Sequence, residues 1–200
     1  RVLHGAPTSI GVVGSGPIAQ TTLHFVKSLY TAAVPVKIHD LNSELVARMV
    51  TRRGPECSVV SLEEALGCDL VLLATNAGTP YVPMSVRFQP NQLILNISLR
   101  DLHPESIKTA NNVFDDVEHC LKANTTPHLL EQLNGNRDFV TGTLAEFICS
   151  EKQLDPDRPT VFSPFGLGIL DLAVAQSLYE HVQASGGGLR VPDFHGDMKR

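Results

Sequence analysis

The sequence predicts an α/β fold: a doubly wound parallel sheet with helices on both faces, followed by a C-terminal helical extension. Three observations carry this. Short β-branched or leucine-rich runs recur through the first 116 residues, and stretches with helical apolar spacing separate them. The first run ends in Gly14-Ser15-Gly16-Pro17-Ile18-Ala19, a glycine turn placed to open a helix.

Ile10 to Val13 reads as a buried strand, and Pro17 to Tyr30 as a helix with proline in its first turn. Val34 to Asp40 is the second strand. Asn42 caps a helix over Ser43 to Arg53. Ser58 to Val60 forms a short third strand, and Ser61 with Glu64 has the spacing of a capping box for Leu62 to Leu66. Asp69 to Thr75 and Gln92 to Ile97 are the fourth and fifth strands. Pro104 to Ala110 is a short helix, and Asn112 to Phe114 the sixth strand. The expected strand order is 3-2-1-4-5-6, the Rossmann arrangement.

Beyond residue 116 the pattern changes. Val117 to Lys122, Pro127 to Leu133 and Thr143 to Ser150 look helical, Thr160 to Phe162 could add a short strand, and Leu167 to Val182 reads as a longer amphipathic helix. The expected division is therefore a nucleotide-binding core over 1–116 and a helical segment over 117–200.

Composition narrows the function classes. A chain of 200 residues with 42% hydrophobic and 18% charged residues is globular rather than disordered. Its net charge is -5 with no run of Lys or Arg, so nucleic acid and acidic membrane surfaces are not expected partners. No apolar stretch reaches the roughly 18 residues that span a bilayer. No signal peptide opens the chain, so a cytoplasmic location is expected. The four cysteines have neither metal nor disulfide spacing and read as reduced, small apolar residues; no metal site is assigned. Arg1 rather than Met opens the chain, which reads as a fragment lacking an N-terminal part.

The glycine turn carries the most chemistry. A phosphate needs N–H donors and positive potential without bulk, and a helix N-terminus supplies both. Gly14 permits the sharp turn, Gly16 lets the backbone approach a pyrophosphate, and Ala19 allows the helix to pack close to the sheet. Ser15, Pro17 and Ile18 complete the cradle. Asp40 ends the second strand, where its carboxylate can accept from both ribose hydroxyls and would repel a 2'-phosphate. NAD is therefore the expected cofactor; the plainer alternative makes Asp40 a helix cap and the glycines a tight turn. Thr75 and Asn76 after the fourth strand, Ser98 after the fifth and Gly166 before the last helix border the expected groove. Arg100 could pair with a substrate carboxylate or with Asp101. Asp116 and His119, in a cluster with Asp115 and Glu118, could handle protons or cap the next helix.

Several stretches resemble the ornithine cyclodeaminase/mu-crystallin family: Ile10 to Gln20, Lys37 to Asp40, Leu72 to Asn76, Gly142 to Ile148 and Val161 to Ala173. Within it, Asn96 to Leu102, Asp115 to Leu121 and Gly135 to Phe139 resemble the branch of 2,3-diaminopropionate biosynthesis. That resemblance implies NAD-dependent oxidation of N-(2-amino-2-carboxyethyl)-L-glutamate, an amino-acid conjugate, to 2,3-diaminopropionate and 2-oxoglutarate, for siderophores or peptide antibiotics; the alternatives are another enzyme of the family (a cyclodeaminase, amino-acid dehydrogenase or imine reductase) or a non-catalytic NAD-binding protein. It also implies a homodimer formed through an N-terminal half that is absent from this sequence. One departure is clear: the cyclodeaminases' Asp-x-Pro-Gly-Lys segment is replaced here by Ser98 to Pro104, so the catalytic aspartate is not carried over to Asp101, and ammonia loss with ring closure is not expected.

Overall fold

The computed structural model describes residues 6–30 and 33–192. Two compact units divide the chain, Arg1–Phe165 and Gly166–Arg200.

The first unit is built on one parallel sheet of eight strands: β1 (Ile10–Val13), β2 (Val36–His39), β3 (Cys57–Val59), β4 (Leu70–Leu73), β5 (Leu93–Asn96), β6 (Asn111–Phe114), β7 (Val140–Thr143) and β8 (Thr160–Ser163). Their order is β3-β2-β1-β4-β5-β8-β6-β7. The expected order holds as far as β5. Beyond it, β8 inserts between β5 and β6, and β7 forms the far edge, so the sheet continues well past residue 116. The reason is polar. Asn111 donates to the carbonyls of Asp155 and Arg158 at 2.8 and 3.3 Å and accepts from Asp155 N–H at 3.1 Å, which pins the turn leading into β8. Asn112 donates to Ile107, Ala110 and Phe139 carbonyls. Two adjacent asparagines do not read as the heart of a sheet, yet both are buried and spend their amides on neighbouring backbone.

Helices cover the sheet on both faces. α1 (Pro17–Ser28) and α2 (Ser43–Arg53) bury Ala19, Leu23, Val26, Val46 and Met49 against Ile10, Val12, Ile38 and Leu72. The opposite face packs Val13, Val71, Leu73, Ile94, Phe114 and Val161 under α3 (Leu62–Leu66), α4 (Val117–Cys120) and α5 (Thr126–Asn134). The capping box on α3 is present, with Ser61 and Glu64 each bonding the other's backbone N–H. α3 sits so close to β1 that a Cβ on Gly11 would lie 1.9 Å from the Ala65 carbonyl oxygen. Pro104–Ile107 forms a 3-10 turn, and α6 (Leu144–Ile148) follows β7 directly. Cys57, Cys68 and Cys120 are buried as expected of small apolar residues, while Cys149 is exposed.

The second unit holds α7 (Gly168–Ser185), which ends at Gly186 in the left-handed region (φ 65°). Its apolar residues Ile169, Leu170, Leu172, Val174, Leu178 and Tyr179 are all exposed and spread around the helix. The expected single apolar stripe is thus not what the sequence lays down. Among the described residues, no helix is long and apolar enough to cross a membrane.

Candidate dinucleotide site

The site is assembled at the carboxyl edge of the sheet. β1 runs out at Val13, and Gly14 turns the chain with φ 97° while donating to the His39 carbonyl at 2.9 Å. Two constraints make Gly14 obligatory. That φ belongs to glycine, and a Cβ would sit 2.4 Å from the Ala74 carbonyl oxygen. Gly16 is different. It occupies the N-cap of α1 with extended dihedrals and no capping side chain, and nothing lies within 4 Å of where its Cβ would be. The start of a twelve-residue helix is therefore uncapped and open above Gly16, the shape and polarity that a phosphate group fits. Pro17 starts the helix, Ile18 is exposed on its rim, and buried Ala19 packs against the sheet.

Asp40 points into this turn. Its Oδ2 accepts from Ser15 N–H and Ser15 Oγ, both at 2.7 Å, and its Oδ1 accepts from Asn42 N–H at 2.8 Å. Burial pushes the carboxyl up. The hydrogen bonds from Asn42 and Ser15 outweigh it and hold the group below its ordinary value. Asp40 is therefore ionised at neutral pH. The cap of α2 falls instead to Asn42, which accepts from Leu45 N–H at 3.1 Å.

Next to the turn lies a network the sequence did not reveal. Asp101 is fully buried and accepts from Thr75 Oγ1 at 2.7 Å and from the Tyr81 hydroxyl at 3.0 Å. Its carbonyl accepts from Tyr81 and Val82 N–H, both at 3.1 Å. Thr75 N–H donates to Ser98 Oγ at 2.7 Å. Thr75 and Ser98, expected to border the cofactor, thus face one another across the ends of β4 and β5 and brace the groove. Asn76 is exposed beside them. Burial raises the Tyr81 hydroxyl far above its ordinary value, so it stays a donor to Asp101.

Arg100 reaches neither Asp101 nor open solvent with its whole fork. It donates to the carbonyls of Ala123 at 2.9 Å and Gly78 at 3.5 Å, and its Nε is buried without a partner among the described residues. Asp116 is the N-cap of α4, accepting from His119 N–H at 2.8 Å, while His119 Nδ1 lies 4.0 Å from the same carboxylate. Gly166, at φ 104°, opens the second unit.

A shallow cleft opens at the ends of β5 and β8, lined in part by Asn96, Ser98, Leu99, Cys120, Ser163 and Phe165. Asn96 donates to Ser163 Oγ at 3.0 Å, and its Oδ1 is buried with no partner among the described residues.

No protein-family model matches the chain. It is 29% identical over 188 residues to the NAD(P)H-dependent anabolic L-arginine dehydrogenase DauB of Pseudomonas aeruginosa, covering 88% of this chain and 58% of that protein. It is 26% identical over 184 residues to N-((2S)-2-amino-2-carboxyethyl)-L-glutamate dehydrogenase of Staphylococcus aureus, covering 86% and 54% respectively. Among solved structures, an archaeal alanine dehydrogenase dimer with bound NAD superposes with TM-score 0.83 at 24% identity, over 96% of this chain and 63% of that one. A probable ornithine cyclodeaminase from Bordetella pertussis superposes with TM-score 0.76 at 18% identity, over 94% and 64%. In sequence the chain is similar to two dehydrogenases of amino-acid substrates, and in fold to an alanine dehydrogenase and a probable ornithine cyclodeaminase. The chain spans little more than half the length of the curated relatives above.

Proposed function

We propose that this chain is the NAD-binding unit of an oxidoreductase acting on a carbon–nitrogen bond of an amino-acid-derived substrate. One observation carries the reading: an uncapped, unobstructed helix N-terminus at Gly16 stands beside an ionised carboxylate, Asp40. The N–H groups at the start of α1 would hold the pyrophosphate. Asp40 Oδ1, with one protein donor in place, would take a ribose hydroxyl; a 2'-phosphate would meet its negative charge, which favours NAD over NADP. NAD, when bound, supplies the acceptor for a hydride. The protein's part is to hold cofactor and substrate in register, with the bracing of Asp101, Thr75 and Ser98 keeping the groove's walls fixed.

The substrate proposed is N-(2-amino-2-carboxyethyl)-L-glutamate. Oxidation of its secondary amine to an imine, followed by addition of water, yields 2,3-diaminopropionate and 2-oxoglutarate, in cytoplasmic siderophore or peptide-antibiotic assembly by a homodimer. The relative from S. aureus and the sequence from Asn96 to Leu102 support this reading. The relative from P. aeruginosa favours a second one, oxidation or reductive formation of a free amino acid such as arginine. Feeding each substrate with NAD separates them: 2-oxoglutarate released from the conjugate supports the first, and ammonia released from arginine the second. Failure of the protein to bind NAD in calorimetric titration overturns both.

A further inference from the structure

We propose that Asp115 is a positioning residue for the nicotinamide end of the cofactor. It ties the turn after β8 to the start of α4, so that the cleft floored by Asn96 keeps its shape. The inference rests on the dinucleotide reading above and deepens it.

Asp115 follows directly on β6, at the carboxyl edge of the sheet. Both of its carboxylate oxygens lie 3.0 Å from Phe165 N–H. Its Oδ1 also accepts from Asp116 N–H at 2.8 Å and from the Cys120 thiol at 3.1 Å. The same thiol lies 3.0 Å from the Ser163 carbonyl. Pro164 has no amide hydrogen, so Phe165 N–H is the first backbone donor beyond Ser163, and Asp115 takes it. One carboxylate thus gathers β6, α4 and the Ser163–Phe165 turn. Burial, and then the hydrogen bond to Asp115, push the Cys120 thiol up to about 12, so it remains a neutral donor there.

The turn that Asp115 holds forms a wall of the cleft lined by Asn96, Ser98, Leu99, Ser163 and Phe165. Leu99 and Phe165 give the cleft apolar sides. Its floor offers the unpartnered amide oxygen of Asn96, a side chain only 2% exposed. Apolar sides with one buried acceptor suit a flat aromatic ring that carries a carboxamide, whose NH₂ can donate to that oxygen. The adjacent pair divides the work: Asp116 caps α4, and Asp115 serves the turn.

Titration of NADH and of ADP-ribose, which lacks nicotinamide, into the full chain tests this. The chain itself is expected to bind NADH more tightly. Asp115→Ala is expected to weaken NADH about tenfold and leave ADP-ribose within about twofold. Asp115→Asn, which keeps one acceptor for Phe165 N–H, is expected to fall between, and it carries the test if the alanine variant does not fold. An equal loss for both ligands, or no loss for either, overturns the role of Asp115. Equal affinity of the unaltered chain for both ligands overturns the nicotinamide cleft but leaves the glycine turn standing. Binding of neither overturns the dinucleotide reading.

Discussion

Ser15 donates both its backbone N–H and its hydroxyl to a single oxygen of Asp40, each at 2.7 Å. The acidic residue at the end of β2 is therefore built into the glycine turn. A carboxylate offers about four acceptor positions, and the donors from Ser15 and Asn42 leave room on Oδ1 for a ribose hydroxyl. Asp40 can shape the phosphate cradle and hold the sugar at once.

Replacing Asp40 with Ala should weaken NAD binding by about 1.5–3 kcal/mol, the range of a hydrogen bond to a charged group. Asp40→Asn should fall between, because it keeps an acceptor but loses the charge. The pH dependence follows from the depressed carboxyl. A group whose folded value lies below its unfolded one stabilises the fold fully above the unfolded value, here 3.8, and loses that contribution as pH falls through the folded value. The difference in thermal midpoint between the chain and Asp40→Asn should be constant from about pH 5 to 8 and shrink below about pH 4. A difference that grows on acidification would contradict the assignment.

Two glycines near the same strand should separate folding from binding. At Gly11 a methyl group would meet the Ala65 carbonyl oxygen at 1.9 Å, so Gly11→Ala must push α3 off the sheet. A loss of about 1–3 kcal/mol in denaturant unfolding is expected, the usual cost of overpacking. At Gly16 the same methyl meets nothing within 4 Å. Gly16→Ala should leave the unfolding midpoint almost unchanged while weakening NAD, because the added group occupies the space expected for phosphate. Unaltered NAD affinity in Gly16→Ala would remove the main support for the site.

The half of the fold that positions this turn was legible because each element carries its own local signal. β1 and β4 are apolar runs, α2 and α3 have their caps, and Gly14 stands where only glycine fits. The strand order of the second half was not, because its strands are placed by distant partners. Thr160–Ser163 is four residues long and becomes a central strand through pairing with both β5 and β6. Val140–Thr143 runs straight into α6, with Thr143 serving as both last strand residue and helix cap, so only the helix was visible. The site divides in the same way. Gly14, Gly16 and Asp40 are local; the contacts of Asp101 with Thr75 and Tyr81, and of Asp115 with Phe165, join residues 20 to 50 positions apart.

Asp101 should prove a stability residue. Asp101→Ala removes the acceptor from the half-buried hydroxyls of Thr75 and Tyr81, and a hydrogen-bonding group left unsatisfied costs up to about 1–3 kcal/mol when buried. Tyr81→Phe removes one donor and should cost less. Combining Tyr81→Phe with Asp101→Ala should cost less than the sum of the two, since the tyrosine hydroxyl is then no longer stranded. Additive losses in a double-mutant cycle would show that the contact carries no energy.

Asp116 and His119 pose the question of cap against proton handling. Asp116 accepts from His119 N–H at 2.8 Å, whereas the ring nitrogen stands off at 4.0 Å, and both side chains are close to half exposed. The close contact is the one a helix cap makes. Asp116→Ala should then cost about 0.5–2 kcal/mol of stability. Asn is as good a cap as Asp, so Asp116→Asn should restore that stability. If the cap is the whole role, Asp116→Asn also keeps full turnover and an unchanged pH profile, and His119→Ala does the same. If the pair handles a proton, Asp116→Asn keeps the stability but lowers kcat and removes one limb of the profile. The 4.0 Å separation favours the first outcome, because direct proton transfer needs heavy atoms within about 3.2 Å.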